Sequence, residues 1–214
     1  MYTYKNITID WLGHDGFLID YKDKKICIDP FQIKKDFKAD YIFFTHNHKD
    51  HLSPDDISRV ILSETILVAP SICETDLKAF SNKKIFLKQT DVLDLDIFSV
   101  TTLPAYNIDK FRSPGVPYHP QEVGFVGFVF NFDGTTVYHT GDSDIIPKMN
   151  GISPDVLFLP VSGKYVMTPE EAVHAIEIIN PKVAIPMHYD SIIGTWEDAK
   201  YVQEHASCEV VILK

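Results

Sequence analysis

The sequence predicts an α+β domain in which two β-sheets pack face to face with helices outside. Three observations carry that expectation. Strand-like segments fall into two groups along the 214 residues. Helix signals follow several strands but not all of them, which separates the chain from a strictly alternating βαβ sheet. In three places an apolar run ends in a cluster of metal-ligand side chains, as when rigid strand ends aim polar groups at one edge.

The elements follow in order. Ile7–Trp11 alternates, Gly13-His14-Asp15-Gly16 is a turn, and Phe17–Tyr21 resumes a strand. Ile26–Ile28 is a short strand closed by Asp29-Pro30, and the run Tyr41–Thr45 reads as a strand buried on both faces. Ser53 caps a helix with Pro54 at its first position and acids in its first turn. Ile66–Ala69 is a strand, and Ser71 with Glu74 predicts a short helix. Further strands are expected at Lys84–Leu87, Phe98–Leu103, Gly124–Phe132 and Thr135–His139, with Asp133-Gly134 as a tight hairpin turn. Thr168-Pro169-Glu170-Glu171 repeats the cap signature for a helix ending before Pro181. Val183–Ile185 is a last buried strand, and Thr195 with Asp198 caps a helix running toward His205. Long loops remain at residues 46–54, 105–123 and 161–168, and loops of that length in a compact domain usually serve function.

Composition bounds the rest. The length suits one domain over residues 1–214. Thirty acidic against 20 basic residues give a net charge of −10, which favours a small-molecule substrate and argues against nucleic acid as partner. A homo-oligomer is compatible with this composition. Cys27, Cys73 and Cys208 form no CxxC pair and read as reduced, structural thiols. The first residues lack the apolar segment of a signal peptide, and no run of eighteen apolar residues predicts a membrane span. The expected compartment is the cytoplasm.

The chemistry concentrates at His46-Asn47-His48-Lys49-Asp50-His51. Three of the nine histidines occupy six positions there, a poor match to a polar loop that is histidine-rich by chance. Imidazole with carboxylate is the donor set of catalytic zinc and related divalent metals. His46 and His48 can face one ion, Asp50 and His51 a second. Asp142, past Thr136–Thr140, has two oxygens and can bridge two cations; taken alone it is an ordinary turn aspartate. His188 stands just past the strand at Val183, where a plain strand-end histidine is the alternative.

At this point the chain resembles the metallo-β-lactamase-fold hydrolases. The resemblance rests on THNHKDHL at 45–52, YHTGDS at 138–143 and PMHY at 186–189, in that order. WLGHDGF at 11–17 and the IDPF run at 28–31 are similar to its ascorbate-phosphate-lactonase-like and phospholipase-D-like branch. The resemblance covers nearly the whole chain and implies a four-layer αββα sandwich of two mixed sheets with a dinuclear centre at one edge. It assigns His46 and His48 to the first metal, Asp50 and His51 to the second, Asp142 as the bridge and His188 to the second. It implies two divalent ions, zinc first, with manganese, iron or nickel as alternatives.

One position departs from the family pattern. The third histidine of the first metal is usually supplied by a segment resembling Pro104-Ala105-Tyr106-Asn107, where this chain has Asn107. An amide oxygen is a weak donor to zinc, so His119, in the following loop, is expected to fill in, with Pro120 restricting its backbone. A solvent-exposed loop histidine is the alternative for His119. His14 either approaches the metals or supports the ligands from behind; His139 is expected behind the site or in the core. His174 and His205 read as surface residues. Lys164 is either a solvated loop lysine or, with Tyr165 and Thr168, a contact for a substrate anion.

The resemblance implies a hydrolase in which a metal-bound hydroxide attacks a carbonyl or phosphoryl centre while Asp50 orients it and shuttles a proton. A lactone or another ester is the first substrate class, a nucleotide or phospholipid-headgroup phosphodiester the second. A non-catalytic metal-binding regulatory protein is the rival from another class, kept open by Asn107.

Overall fold

The computed structural model describes residues 1–214 as two compact units, 1–88 with 213–214 and 89–212. The first unit holds a seven-stranded sheet of β1 (Tyr2–Tyr4), β2 (Ile7–Gly13), β3 (Gly16–Tyr21), β4 (Lys24–Ile28), β5 (Tyr41–Phe43), β6 (Ile66–Pro70) and β7 (Lys84–Leu87), in that spatial order. Its first three pairings are antiparallel and its last three parallel, so the sheet is mixed. The parallel part carries the buried runs ICI, IF and LVAP, and alternate side chains of them, Cys27, Ile42, Leu67 and Ala69, join Ile57 and Val60 of α1 (Pro54–Val60) in one core cluster. Ser53 caps α1 by accepting from Asp56 N at 3.3 Å.

The second unit repeats the plan. Its strands are β8 (Val92–Asp94), β9 (Ser99–Pro104), β10 (Phe111–Ser113), β11 (Val116–Pro117), β12 (Val126–Phe132), β13 (Thr135–His139), β14 (Val156–Pro160), β15 (Val183–Met187) and β16 (Glu209–Val210). Seven of them form a sheet ordered β16-β15-β14-β13-β12-β9-β8. The pairings from β16 to β13 are parallel, and those from β13 to β8 antiparallel. The expected turn at Asp133-Gly134 closes β12 and β13, with both residues at positive φ (51° and 85°), as a type I′ hairpin requires. Strands β10 and β11 make a separate two-stranded hairpin.

Helix α2 (Pro169–Ile179) begins on a full capping box between Thr168 and Glu171 and ends at Asn180, which takes a left-handed conformation before Pro181. Helix α3 (Trp196–His205) starts where the Asp198 carboxylate accepts from Thr195 N at 2.7 Å. No helix is long and apolar enough to cross a membrane.

Several expectations needed correction. Ser71–Cys73 is one 3-10 turn with no side-chain cap, so the Ser71/Glu74 signal did not make a helix. Strand β14 was not anticipated, although its sequence, VLFLP, is a continuous buried run of the kind that marked Tyr41–Thr45. The loop predicted at 105–123 contains the β10–β11 hairpin.

Candidate metal centre

In the first unit the ligand types lie just beyond the carboxyl ends of parallel strands, the usual place for ligands on parallel sheets. Asp29 follows β4, and residues 45–51 follow β5. Asp29, fully buried, organises what comes after. Its Oδ1 accepts from Thr45 N at 2.8 Å, and its Oδ2 accepts from Thr45 Oγ1 at 2.6 Å and lies 2.9 Å from His51 Nδ1.

Those bonds fix tautomers. An ionised carboxylate only accepts, so His51 Nδ1 carries the proton and turns its Nε2 lone pair outward. The Thr45 hydroxyl proton is committed to Asp29, so His46 Nδ1, 3.0 Å from Thr45 Oγ1, must donate to that oxygen. His46 Nε2 is then an acceptor, and it stands 3.0 Å from His48 Nδ1. Ligands about 2.1 Å from a tetrahedral ion lie about 3.4 Å apart, so this pair, in hydrogen-bond contact, is close to the spacing at which it could share one cation.

Asp50 Oδ2 lies 3.2 Å from His14 Nε2 and 3.9 Å from His51 Nε2. The His14 ring is buried against Phe31 and His51, and Trp11 Nε1 donates to the His14 carbonyl at 2.8 Å. His14 (φ 50°) and Asp29 (φ 44°) are both left-handed non-glycine residues, a costly conformation that concentrates at functional sites.

The second unit supplies a matching set. Asp142 follows β13, and its Oδ2 lies 3.2 Å from His119 Nε2 and 3.5 Å from His188 Nε2. All three side chains are at most 4 % exposed. Asn107 is bound on both sides. Its Nδ2 donates to Asp144 Oδ1 at 3.2 Å and to the Tyr165 carbonyl at 2.9 Å, which fixes the amide orientation. Its Oδ1 therefore accepts, from His119 N and His119 Nδ1, each at 2.9 Å. The proton of neutral His119 is thus on Nδ1, and the Nε2 lone pair faces a carboxylate oxygen. A cation held between the two, or a proton on Nε2, would satisfy both groups. The donor set and its orientation fit a divalent metal.

His188, at φ 60°, has its Nδ1 2.7 Å from Ser162 Oγ. His139 is fully buried against Phe158, and its Nδ1 accepts from Gly141 N at 3.0 Å, so it holds the turn that delivers Asp142. His174 and His205 are exposed on α2 and α3, as read from the sequence. Lys164 is exposed, with its ammonium 5.0 Å from the centre of the Tyr165 ring.

Sequence reasoning missed the clamps: Asp29, Thr45, Ser162, and Asn107 as the anchor of His119. Asp29-Pro30 was seen only as a strand end and an element of resemblance; its placement behind the histidine cluster depends on β4 pairing parallel with β5. Asp15, fully buried 3.9 Å from His51 Nδ1, was also passed over as a turn residue.

The Beta-lactamase superfamily domain family matches residues 8–188. Metal-dependent hydrolases of Archaeoglobus fulgidus and Staphylothermus marinus are 33% and 34% identical to the chain, each alignment covering 96% of it and 95% of the relative. A crystallised protein of Parabacteroides distasonis, provisionally described as a metal-dependent hydrolase, is 30% identical with a TM-score of 0.84, over 97% of this chain and 94% of that one. A metallo hydrolase of Ignicoccus hospitalis shares the fold at 24% identity, with a TM-score of 0.78 over 97% of this chain and 95% of its own. With its two mixed sheets and its ordered ligand motifs, the chain belongs to the metallo-β-lactamase superfamily, in the branch whose members are called metal-dependent hydrolases.

Proposed function

We propose that the chain is a hydrolase of a single catalytic domain in which His46, His48, Asp50, His51, His119, Asp142 and His188 are the ligands of a dinuclear centre. The observation that supports this reading most is tautomeric. His46, His51 and His119 each hold Nδ1–H in a bond to the protein, which leaves Nε2 for a cation. His46, His48 and His119 would hold one ion, Asp50, His51 and His188 the other, and Asp142 both. Zinc suits imidazole with carboxylate; manganese, iron and nickel are the alternatives. Divalent ions there supply a lowered pKa for bound water and polarisation of the scissile group.

The protein's own residues do the rest. Asp50, 26 % exposed and held by His14, is the carboxylate placed to orient water and take a proton at Oδ2. Asp29 and Asn107 keep His51 and His119 aimed, so no reorganisation is needed when substrate arrives. The buried, reduced thiols suit a cytoplasmic setting.

Lactones and other esters are the substrate class we favour, with phosphodiesters second. Assay of the metal-loaded protein against a panel of lactones and aryl esters alongside bis(4-nitrophenyl) phosphate tests this. Turnover of esters, lost in Asp50→Asn, is expected. Phosphodiester turnover alone would reverse the ranking, and no turnover of either class would favour a metal-binding regulatory protein.

A further inference from the structure

This inference deepens the hydrolase reading and rests on it. Residues 107–119 form a flap pinned at its base by Asn107 N donating to the His119 carbonyl at 2.9 Å, with Tyr118 N donating to the Lys110 carbonyl at 3.0 Å. At its tip Gly115 takes a positive φ of 75°. The proposed ligand His119 is therefore the flap's last residue.

Aromatic rings and cations meet where the flap, with Arg112 and Tyr118, touches the loop that carries Lys164 and Tyr165. Tyr118 and Tyr165 meet edge to face with centroids 4.7 Å apart. The Arg112 guanidinium lies 5.7 Å from the centre of the Tyr118 ring and also donates to the Tyr118 carbonyl at 3.1 Å. The Lys164 ammonium lies over the Tyr165 ring. A hydrogen bond to Tyr165, followed by its Coulombic pull, raises the Lys164 pKa, so the group is cationic at neutral pH.

Neither cation is paired with an acid. Lys24, Lys25, Lys35, Lys110 and Lys182, by contrast, sit in ion pairs. Lys110, on the same flap, is surrounded by Asp109, Glu171 and Asp144, whereas Arg112 two residues on rests on a ring instead. Rings hold a cation only weakly at exposed sites, so both groups keep most of their capacity for an anion. The cluster is also tied to the proposed metal ligand. Tyr118 precedes His119 in the chain, and the Tyr165 carbonyl holds the Asn107 amide that orients the His119 ring.

We infer that Arg112 and Lys164, seated on Tyr118 and Tyr165, form an anion subsite beside the proposed centre, and that the substrate carries a carboxylate alongside its scissile bond. A planar guanidinium binds a carboxylate in fork geometry, and the half-buried tyrosine edges give an adjoining apolar group a surface to lie on. Net negative charge elsewhere on the protein makes this face the place where an organic anion is admitted.

The test compares 2-naphthoate with 2-naphthamide, the same shape without the charge, by calorimetric titration of the metal-loaded protein. Wild type should bind the carboxylate more tightly than the amide. The double variant Arg112→Gln/Lys164→Gln should lose about tenfold in naphthoate affinity, with naphthamide binding and metal content unchanged. Both side chains are exposed, so the fold is retained. Equal affinity for the two probes, no naphthoate binding at millimolar concentration, or an undiminished preference in the double variant would overturn the inference. Failure of the ester assay with this preference intact would instead count against the hydrolytic reading alone.

Discussion

Asn107 shows how much of the site turns on single atoms. In the sequence it stood as a weak ligand replacing a histidine. In the structure it accepts from His119 with one end of its amide and donates to Asp144 and Tyr165 with the other. Any effect of Asn107 on the proposed metal would therefore be indirect, through the aim of His119. Removing a residue that orients a ligand typically weakens metal binding ~10–100-fold. Asn107→Ala is predicted to fall in that range when metal affinity is measured by chelator competition, and His119→Ala to lose more. Asn107→Asp should not rescue, because a second carboxylate oxygen would replace the donor 3.2 Å from Asp144 Oδ1. An Asp variant that holds metal as wild type does would show that the two-sided amide is not what the site uses. The proposed ligands at 46–51 stand out in the sequence because they fall within six consecutive residues. Asp29, Asn107 and Ser162 do not, because a clamp is defined by a contact between residues distant in sequence, and Asn or Ser in a loop has many uses.

Among the elements, those with strong local chemistry were read correctly. Capping signals located α1, α2 and α3, and Asp133-Gly134 located the β12–β13 turn. The errors lie where tertiary context decides. Strand β14 has no alternation because it is buried along its length, and the Ser71 signal lacks an apolar face long enough to sustain a helix. Strand β12 carries the sharpest test at this scale. A Cβ on Gly127 would stand 2.7 Å from the carbonyl oxygens of both His139 and Thr140, the residues leading into Asp142. Gly127→Ala is predicted to destabilise the fold by about 1–3 kcal/mol in denaturant unfolding and to weaken metal binding as well. Stability and affinity both equal to wild type would contradict the close packing of these strands. At α2, Thr168→Ala removes the cap and should cost about 1 kcal/mol with metal affinity unchanged.

For the whole molecule, composition and motif order gave the fold class, and the superfamily match bears it out. The thiols follow the same logic of burial. Cys27 and Cys73 are fully buried in the first unit's core, and desolvation pushes both thiols up, while Cys208 is half-buried and shifted in the same direction. A disulfide-exchange reagent should therefore titrate at most Cys208 in the native protein and all three thiols after denaturation; fast reaction of a second thiol in the native state would argue against that core. The central proposal is a dinuclear centre, and metal stoichiometry tests it most directly. After reconstitution with zinc and dialysis, elemental analysis should give about two equivalents per chain for wild type. The variants His48→Ala and His119→Ala, each in a proposed ligand of the same ion, should each fall to about one. A wild-type protein that retains no zinc, manganese, nickel or iron, or a pair of variants that both keep two equivalents, would contradict it.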